Sequence, residues 1–376
     1  MDPLTHALSG AVAMLALPKR PETSIAAPMA ALAAAIPDLD ILFISTPLDY
    51  LLIHRGLSHS LVGAPILGLA VALCARSLWS RATPGRWSLP LTWLFMTAMV
   101  LLHIWLDCVT TYGTMMFQPF SDYRVRLNGC FIVDLLLTLP LAAAVVWRMR
   151  LRRLVVGALI WTFLYPGASS CLSAVLAERT RDLLASEGRR IGQVVVLPDV
   201  LSPFFWRVIY EDESSRAEAA AEETGIEEAG DPGIMVTTRG LDGLGRPRTE
   251  PSAFPAVPPS MTRSLGGQSE SCRAFLAFTL LPVVRPIAEG DMPEDRDEGR
   301  RYLLLGDLRY GTSLAFVQRL MSLRSNGRDP FQLMVELEGG EGWRLRRERM
   351  RFSGTGKDTG WTAPSPPTSV GAGRHR

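Results

Sequence analysis

The sequence predicts a membrane α-helical bundle of about 4–6 transmembrane helices, followed by a smaller β-rich soluble domain with a disordered insertion. Three observations predict it. Across residues 4–177, apolar runs recur between short polar breaks, and several approach the ~20 residues a bilayer-spanning helix needs. From about Glu178 the apolar runs shrink to strand length. Four of the five histidines, His6, His54, His59 and His103, lie in the first 103 residues. Composition narrows the function. With 39 basic and 37 acidic residues the net charge is +2, too balanced for a strongly basic nucleic-acid binder, and no nucleic-acid partner is expected. Five cysteines without a CxxC pair exclude a zinc ribbon and a dense disulfide scaffold.

The strongest apolar runs are 60–75, 89–106, 131–147 and 154–177. The last three reach spanning length, and the first does so with its flanks. Two weaker, Ala-rich runs, 4–17 and 24–37, precede them and span only by borrowing neighbours. The start lacks the basic region of a secretory signal, and Asp2-Pro3 is expected to cap the first helix.

The polar breaks alternate in character. Lys19 and Arg20, then Arg76, Arg81 and Arg86, then Arg148, Arg150, Arg152 and Arg153 form a basic set. The breaks at 38–59 and 107–130 hold the Asp and His residues, with only Arg55, Arg124 and Arg126. The positive-inside rule places the basic set in the cytoplasm. Six crossings then put the Asp/His breaks and the C-terminal domain on the periplasmic side of a bacterial inner membrane.

The expected domains are a membrane domain over 1–177 and a β-rich domain over 178–352. Strand-like runs stand at 193–197, 204–210, 274–284, 302–305 and 332–337. Residues 211–230 are rich in Glu and Ala, and 231–270 in Gly, Pro, Ser and Arg, so 213–270 is expected to be a disordered insertion. The tail, 353–376, has the same character.

Four short motifs carry the chemistry: Asp2-Pro-Leu-Thr5-His6, Pro37-Asp38-Leu-Asp40, His54-Arg55-Gly-Leu-Ser58-His59 and His103-Ile-Trp-Leu-Asp107. Each falls at the end of an apolar run on the same expected face. His103 and Asp107, four apart, share a helix face. Ionisable residues at membrane depth are costly and mark function. Neutral imidazole plus carboxylate is the donor set of zinc and similar divalent ions. His6, Asp38, Asp40, His54, His59, His103 and Asp107 are therefore the candidate ligands, for one or two ions. Any of these motifs alone has a plainer explanation as an interfacial histidine, a turn or a helix cap. Their convergence favours a metal site.

Asp38 and Asp40 are candidate general bases, and Arg55 could hold an anionic oxygen or pair with Asp49. Thr5, Ser58, Thr110 and Asp134 are candidate supports for the ligands, and Asp134 is expected to face the site or a partner such as Arg126. HExxH, GxSxG and P-loop motifs are absent.

In this order the DxxTH, PDxD, HRGxSH and HxxxD motifs resemble the YdjM-like, LexA-regulated family of inner-membrane metal-dependent hydrolases. TYGT at 111–114, Pro119-Phe120, FIVD at 131–134, PFFWRVIY at 203–210 and GDLRY at 306–310 extend the likeness. The resemblance implies a multi-pass, zinc-type hydrolase with the same seven site residues. Ser58 stands where the family more often has Thr, Leu135 where Pro is frequent, and 211–270 resembles an insertion.

The expected function is hydrolysis of an ester or phosphoester by metal-activated water, on a lipid-linked substrate at headgroup depth. The alternatives are a divalent-metal transporter or metal-binding membrane protein, and a membrane-anchored scaffold. Transporter sites lie nearer the bilayer midplane, and an anchor needs no histidines at span ends.

Overall fold

A computed structural model describes residues 1–21, 23–79, 87–147, 152–213, 234–297, 299–319, 330–338, 343–352 and 356–367. It divides into two compact units. The first comprises Met1–Ile44, Ile53–Ala174 and Val200–Phe204; the second comprises Ser45–Leu52, Val175–Asp199 and Phe205–Arg376.

The first unit is helical. Asp2 caps α1 (Pro3–Ala16), accepting from the Thr5 amide, with Pro3 pre-set for the first turn. Helix α2 (Ala26–Ala35) runs into a 3₁₀ helix at Ile36–Phe43. After α3 (Pro47–Ile53) come α4 (Gly63–Trp79), α5 (Leu89–Cys108), α6 (Leu135–Val146) and α7 (Arg152–Ser186), the last continuing into the second unit. Small residues set the closest packing. A Cβ on Gly10 would lie 2.3 Å from the Ala30 carbonyl oxygen, so α1 and α2 meet backbone to backbone. Helix α5 is the shared wall: Met96, Met99 and Leu102 join a core with Met14, Ala30 and Ala33, and Leu106 joins another with Val12, Leu137 and Leu141.

Among the described residues, Ala26–Phe43, Leu89–Cys108 and Arg152–Ser186 are long and apolar enough to cross a membrane, and the bent pair Pro47–His59 and Gly63–Leu78 makes a fourth if it is one span. This lowers the six-crossing expectation. Run 131–147 is not a full span, because Asp134 caps α6 and confines the helix to 12 residues. Run 24–37, by contrast, gains length from the 3₁₀ extension.

The second unit holds two antiparallel sheets, ordered β1-β2-β3-β4 and β5-β6-β7-β8-β9. The strands are β1 (Ile191–Pro198), β2 (Phe205–Asp212), β3 (Met235–Asp242), β4 (Ser252–Pro255), β5 (Pro282–Pro286), β6 (Arg301–Asp307), β7 (Phe331–Leu337), β8 (Leu345–Phe352) and β9 (Lys357–Asp358). Val195, Leu197, Ile209, Val236, Leu281 and Val283 form one of its cores. Tyr50, from the segment that joins this unit, packs its ring 4.2 Å from that of Phe352.

Three expectations are corrected here. Residues 234–270 are ordered: β3 pairs along β2 from Met235 to Asp242, and α8 (Pro259–Gln268) buries Met261 and Leu265. The rest of the expected insertion, 214–233, lies outside the described residues. Run 274–284 is not one strand, since its first part lies in α9 (Glu270–Phe278). Ser269 caps that helix, and Cys272, Phe275 and Phe278 recur on its buried face. The tail is ordered over 356–367: Thr362 exchanges backbone hydrogen bonds with Glu348, and Arg349 and Arg351 both grip Asp358.

Two outcomes test this packing. Gly10→Val is expected to destabilise the protein by about 1–3 kcal/mol through overpacking against Ala30, read by thermal unfolding in detergent. Burial and the neighbouring Glu348 carboxylate push the Cys272 thiol well above the usual thiol range. A maleimide at pH 8 should therefore label Cys272 only after denaturation, as followed by mass spectrometry of digested protein.

Candidate metal centre

Four local devices build the site. The capped start of α1 places His6 one turn in, fully buried. The 3₁₀ helix turns about 120° per residue, so Asp38 and Asp40 point to different partners. In the HRGLSH segment, Arg55 adopts a left-handed φ of 59°, uncommon for a non-glycine residue. From there its amide donates to Asp40 Oδ2 at 3.1 Å while its guanidinium reaches Asp107 Oδ1 at 2.8 Å. The last turns of α5 set His103 and Asp107 on one face.

Asp38, His59, His103 and Asp107 each offer one ligand atom, all within 4.8 Å of one another, and this group can hold a metal ion. His59 Nε2 lies 3.4 Å from both Asp38 Oδ1 and Asp107 Oδ2. His103 Nε2 lies 3.6 Å from Asp38 Oδ1 and 3.3 Å from Asp107 Oδ2. Donors around a tetrahedral ion at ~2.0–2.1 Å stand about 3.3–3.4 Å apart, and these four separations lie close to that, with every pair in the group within 4.8 Å.

The hydrogen bonds behind the rings point the same way. His103 Nδ1 donates to the Ala34 carbonyl at 2.7 Å, and a carbonyl only accepts, so Nε2 presents its lone pair to the cluster. His59 Nδ1 lies 2.9 Å from the Ser58 hydroxyl and 3.4 Å from Asp40 Oδ2, again leaving Nε2 inward. His103 Nε2, Asp107 Oδ2 and both ring nitrogens of His6 are buried without a hydrogen bond. Several orphaned polar atoms meeting at one point call for a partner, and a cation supplies one.

The remaining candidates sort by their contacts. His6 stacks on His103 with centroids 3.7 Å apart, and its Nε2 is 3.3 Å from Asp107 Oδ1, so it touches the group without joining the four. The Met1 amino group also contacts Asp107. His54 donates Nδ1–H to Asp40 Oδ1 at 2.9 Å, forming a pair behind His59. Ser58 donates to Asp40 at 3.1 Å, and Arg55 donates to the Thr110 hydroxyl at 2.9 Å. Arg55 pairs with Asp107, not with Asp49, whose carboxylate instead receives the Ser45 and Thr46 amides.

Two expected supports lie elsewhere. Thr5 bonds to Asp2 and Thr138. Asp134 neither faces the cluster nor pairs with Arg126. It accepts from Tyr165 at 2.7 Å and Ser202 at 3.0 Å while capping α6, since a capping carboxylate is drawn to nearby amides and hydroxyls.

Two contributors were not singled out from sequence. Tyr112 lies 4.8 Å beneath the Arg55 guanidinium, and its ring is 5.5 Å from that of His54. The TYGT motif was the available signal. The Ala34 carbonyl carries none, because a backbone acceptor has no residue type.

Comparison with known proteins agrees with the motif resemblance over this unit. The family model described as YdjM inner membrane protein matches residues 1–177. A curated relative, the inner membrane protein YbcI of Escherichia coli (strain K12), is 38% identical over 95 residues, covering 24% of this chain and 51% of the relative. The chain thus spans about half the length of that relative. No solved structure matches. The inner membrane is therefore the location these likenesses support, together with the apolar helices.

Arg55→Ala leaves Asp107 buried beside one fewer cation. It is expected to cost about 3–5 kcal/mol in chemical unfolding of the detergent-solubilised protein, against a smaller loss for Arg55→Lys, which keeps the charge.

Proposed function

We propose that the membrane unit, with its domain drawn at 1–177, is a metal-dependent hydrolase that cleaves an ester or phosphoester. The observation that carries this reading is a pair of imidazoles, His59 and His103, whose Nε2 atoms face two carboxylates while the Ser58 hydroxyl and the Ala34 carbonyl engage their Nδ1 atoms. Zinc suits such a donor set. His59, His103 and Asp107 would hold the ion and leave a position open for water, with the Asp38 carboxylate beside it. A divalent ion there supplies Lewis-acid activation of water.

The residues then divide the work. Asp38 has 20% of its side chain exposed, against none for His59 and Asp107, so it is the carboxylate that solvent reaches and the candidate base. Asp40 receives the His54 ring, the Arg55 amide and the Ser58 hydroxyl, so it acts as a positioning residue for His54 and His59. Arg55 likewise positions Asp107, with Thr110 and Tyr112 holding the guanidinium.

A lipid-linked substrate is favoured because Leu39, Leu42 and Phe43, interleaved with and following the two aspartates, are exposed. The uneven spread of basic residues supports a site on the periplasmic face of the inner membrane.

The test is metal content and ester or phosphodiester hydrolysis by the purified full-length chain. His59→Ala should lose both together, and retention of both would refute the reading. Asp40→Asn is expected to weaken zinc affinity about 10–100-fold in chelator competition while the fold persists. Zinc uptake into proteoliposomes without hydrolysis would favour the transporter alternative.

A further inference from the structure

Along the outside of the α1–α2 hairpin runs a groove of about 510 Å³ that also touches Val145 of α6. This is the size of a small-molecule pocket, ~300–1,000 Å³. Leu4, Ala7 and Ala11 form one wall and Ala27 and Ala31 the other. The wall residues on α1 recur every three or four positions, so they share a face. His6 stands about 200° around the helix from Leu4, which sets the groove on the opposite side of α1 from the His/Asp cluster. The groove is therefore separate from the candidate metal centre.

Its length and ends suggest an occupant. From Leu4 to Leu15 the wall extends about 17 Å, a stretch an acyl chain can follow. The alanine side chains make the middle of the groove apolar. One end is polar: Arg20, Thr23 and Ser24 line it. Arg20 donates to the Leu15 carbonyl at 3.2 Å, which holds its guanidinium at that end, and Lys19 beside it is exposed. A guanidinium carries five donors in a fork that matches phosphate.

We infer that this groove binds one anionic phospholipid, with an acyl chain against the alanine walls and the phosphate at Arg20. The charge at the polar end selects an anionic headgroup over a zwitterionic one, and a volume of about 510 Å³ is too small for a polypeptide helix along the wall but suits a single acyl chain.

The experiment is native mass spectrometry of the full-length protein released from nanodiscs of equal phosphatidylglycerol and phosphatidylcholine with identical chains. The wild type should retain one lipid, with phosphatidylglycerol favoured about fivefold, the worth of one basic side chain at an anionic membrane surface. Arg20→Gln should keep a lipid but lose that preference. Ala11→Phe should fill the trough and remove the retained lipid, and Ala27→Leu, a smaller filling change, should reduce it. All three should keep wild-type zinc content, so failure here is distinguishable from failure of the metal centre. A wild type without retained lipid, an Ala11→Phe protein that retains it fully, an unchanged preference in Arg20→Gln, or a chain dimer covering the groove would each overturn the inference.

Discussion

A carboxylate with no solvent exposure has to be compensated from every side, and in the helical unit that carboxylate is Asp107. Its position near the end of α5 draws the other elements in. Arg55 turns through a left-handed backbone conformation to reach it. His6 comes from the start of α1, His59 from the HRGLSH segment, and His103 from one turn earlier in α5. One arginine balances one charge. The inward lone pairs of the histidines are left facing Asp38 and Asp107, and this is the arrangement that a cation completes.

The 3₁₀ helix after α2 explains why two aspartates separated by one residue behave differently. Asp38 joins the four-residue group, while Asp40 turns away to receive His54, Arg55 and Ser58. Two positions on, side chains stand about 160° apart around an α-helix but about 120° apart around this tighter turn, so both carboxylates can approach His59 from different sides. One carboxylate can thus face the centre and the other brace the histidines behind it. The match of a known inner-membrane family to residues 1–177 coincides with the stretch that contains all of these contacts.

Much of the site was legible in the sequence because polar residues inside apolar runs stand out. The seven His and Asp candidates were identifiable from motif order and from their position at the ends of those runs. Their division into four facing donors, one stacked neighbour and one bracing pair was not, since it depends on backbone turns a few residues long. Asp134 shows the opposite failure. Its place in an apolar run made it resemble a site residue, but a cap on α6 and two hydroxyls account for it. In the second unit, β8 was hidden by its five charged residues among eight, whose four arginines pair with acids on neighbouring segments instead of alternating cleanly with apolar ones.

By itself, the amino-acid sequence determined that the first half of this protein is an apolar helical assembly with metal-type side chains at its helix ends, and that the second half is built largely of strands. Those follow from local composition and spacing, which are properties of the chain. Only the tertiary structure decided which nitrogen of each histidine faces inward, that Arg55 serves Asp107, and that the α1–α2 hairpin carries a groove on the face away from His6. Each of these depends on groups far apart in the chain meeting at a few ångströms. Hydrogen bonding and ion pairing act at that range, and sequence spacing alone does not.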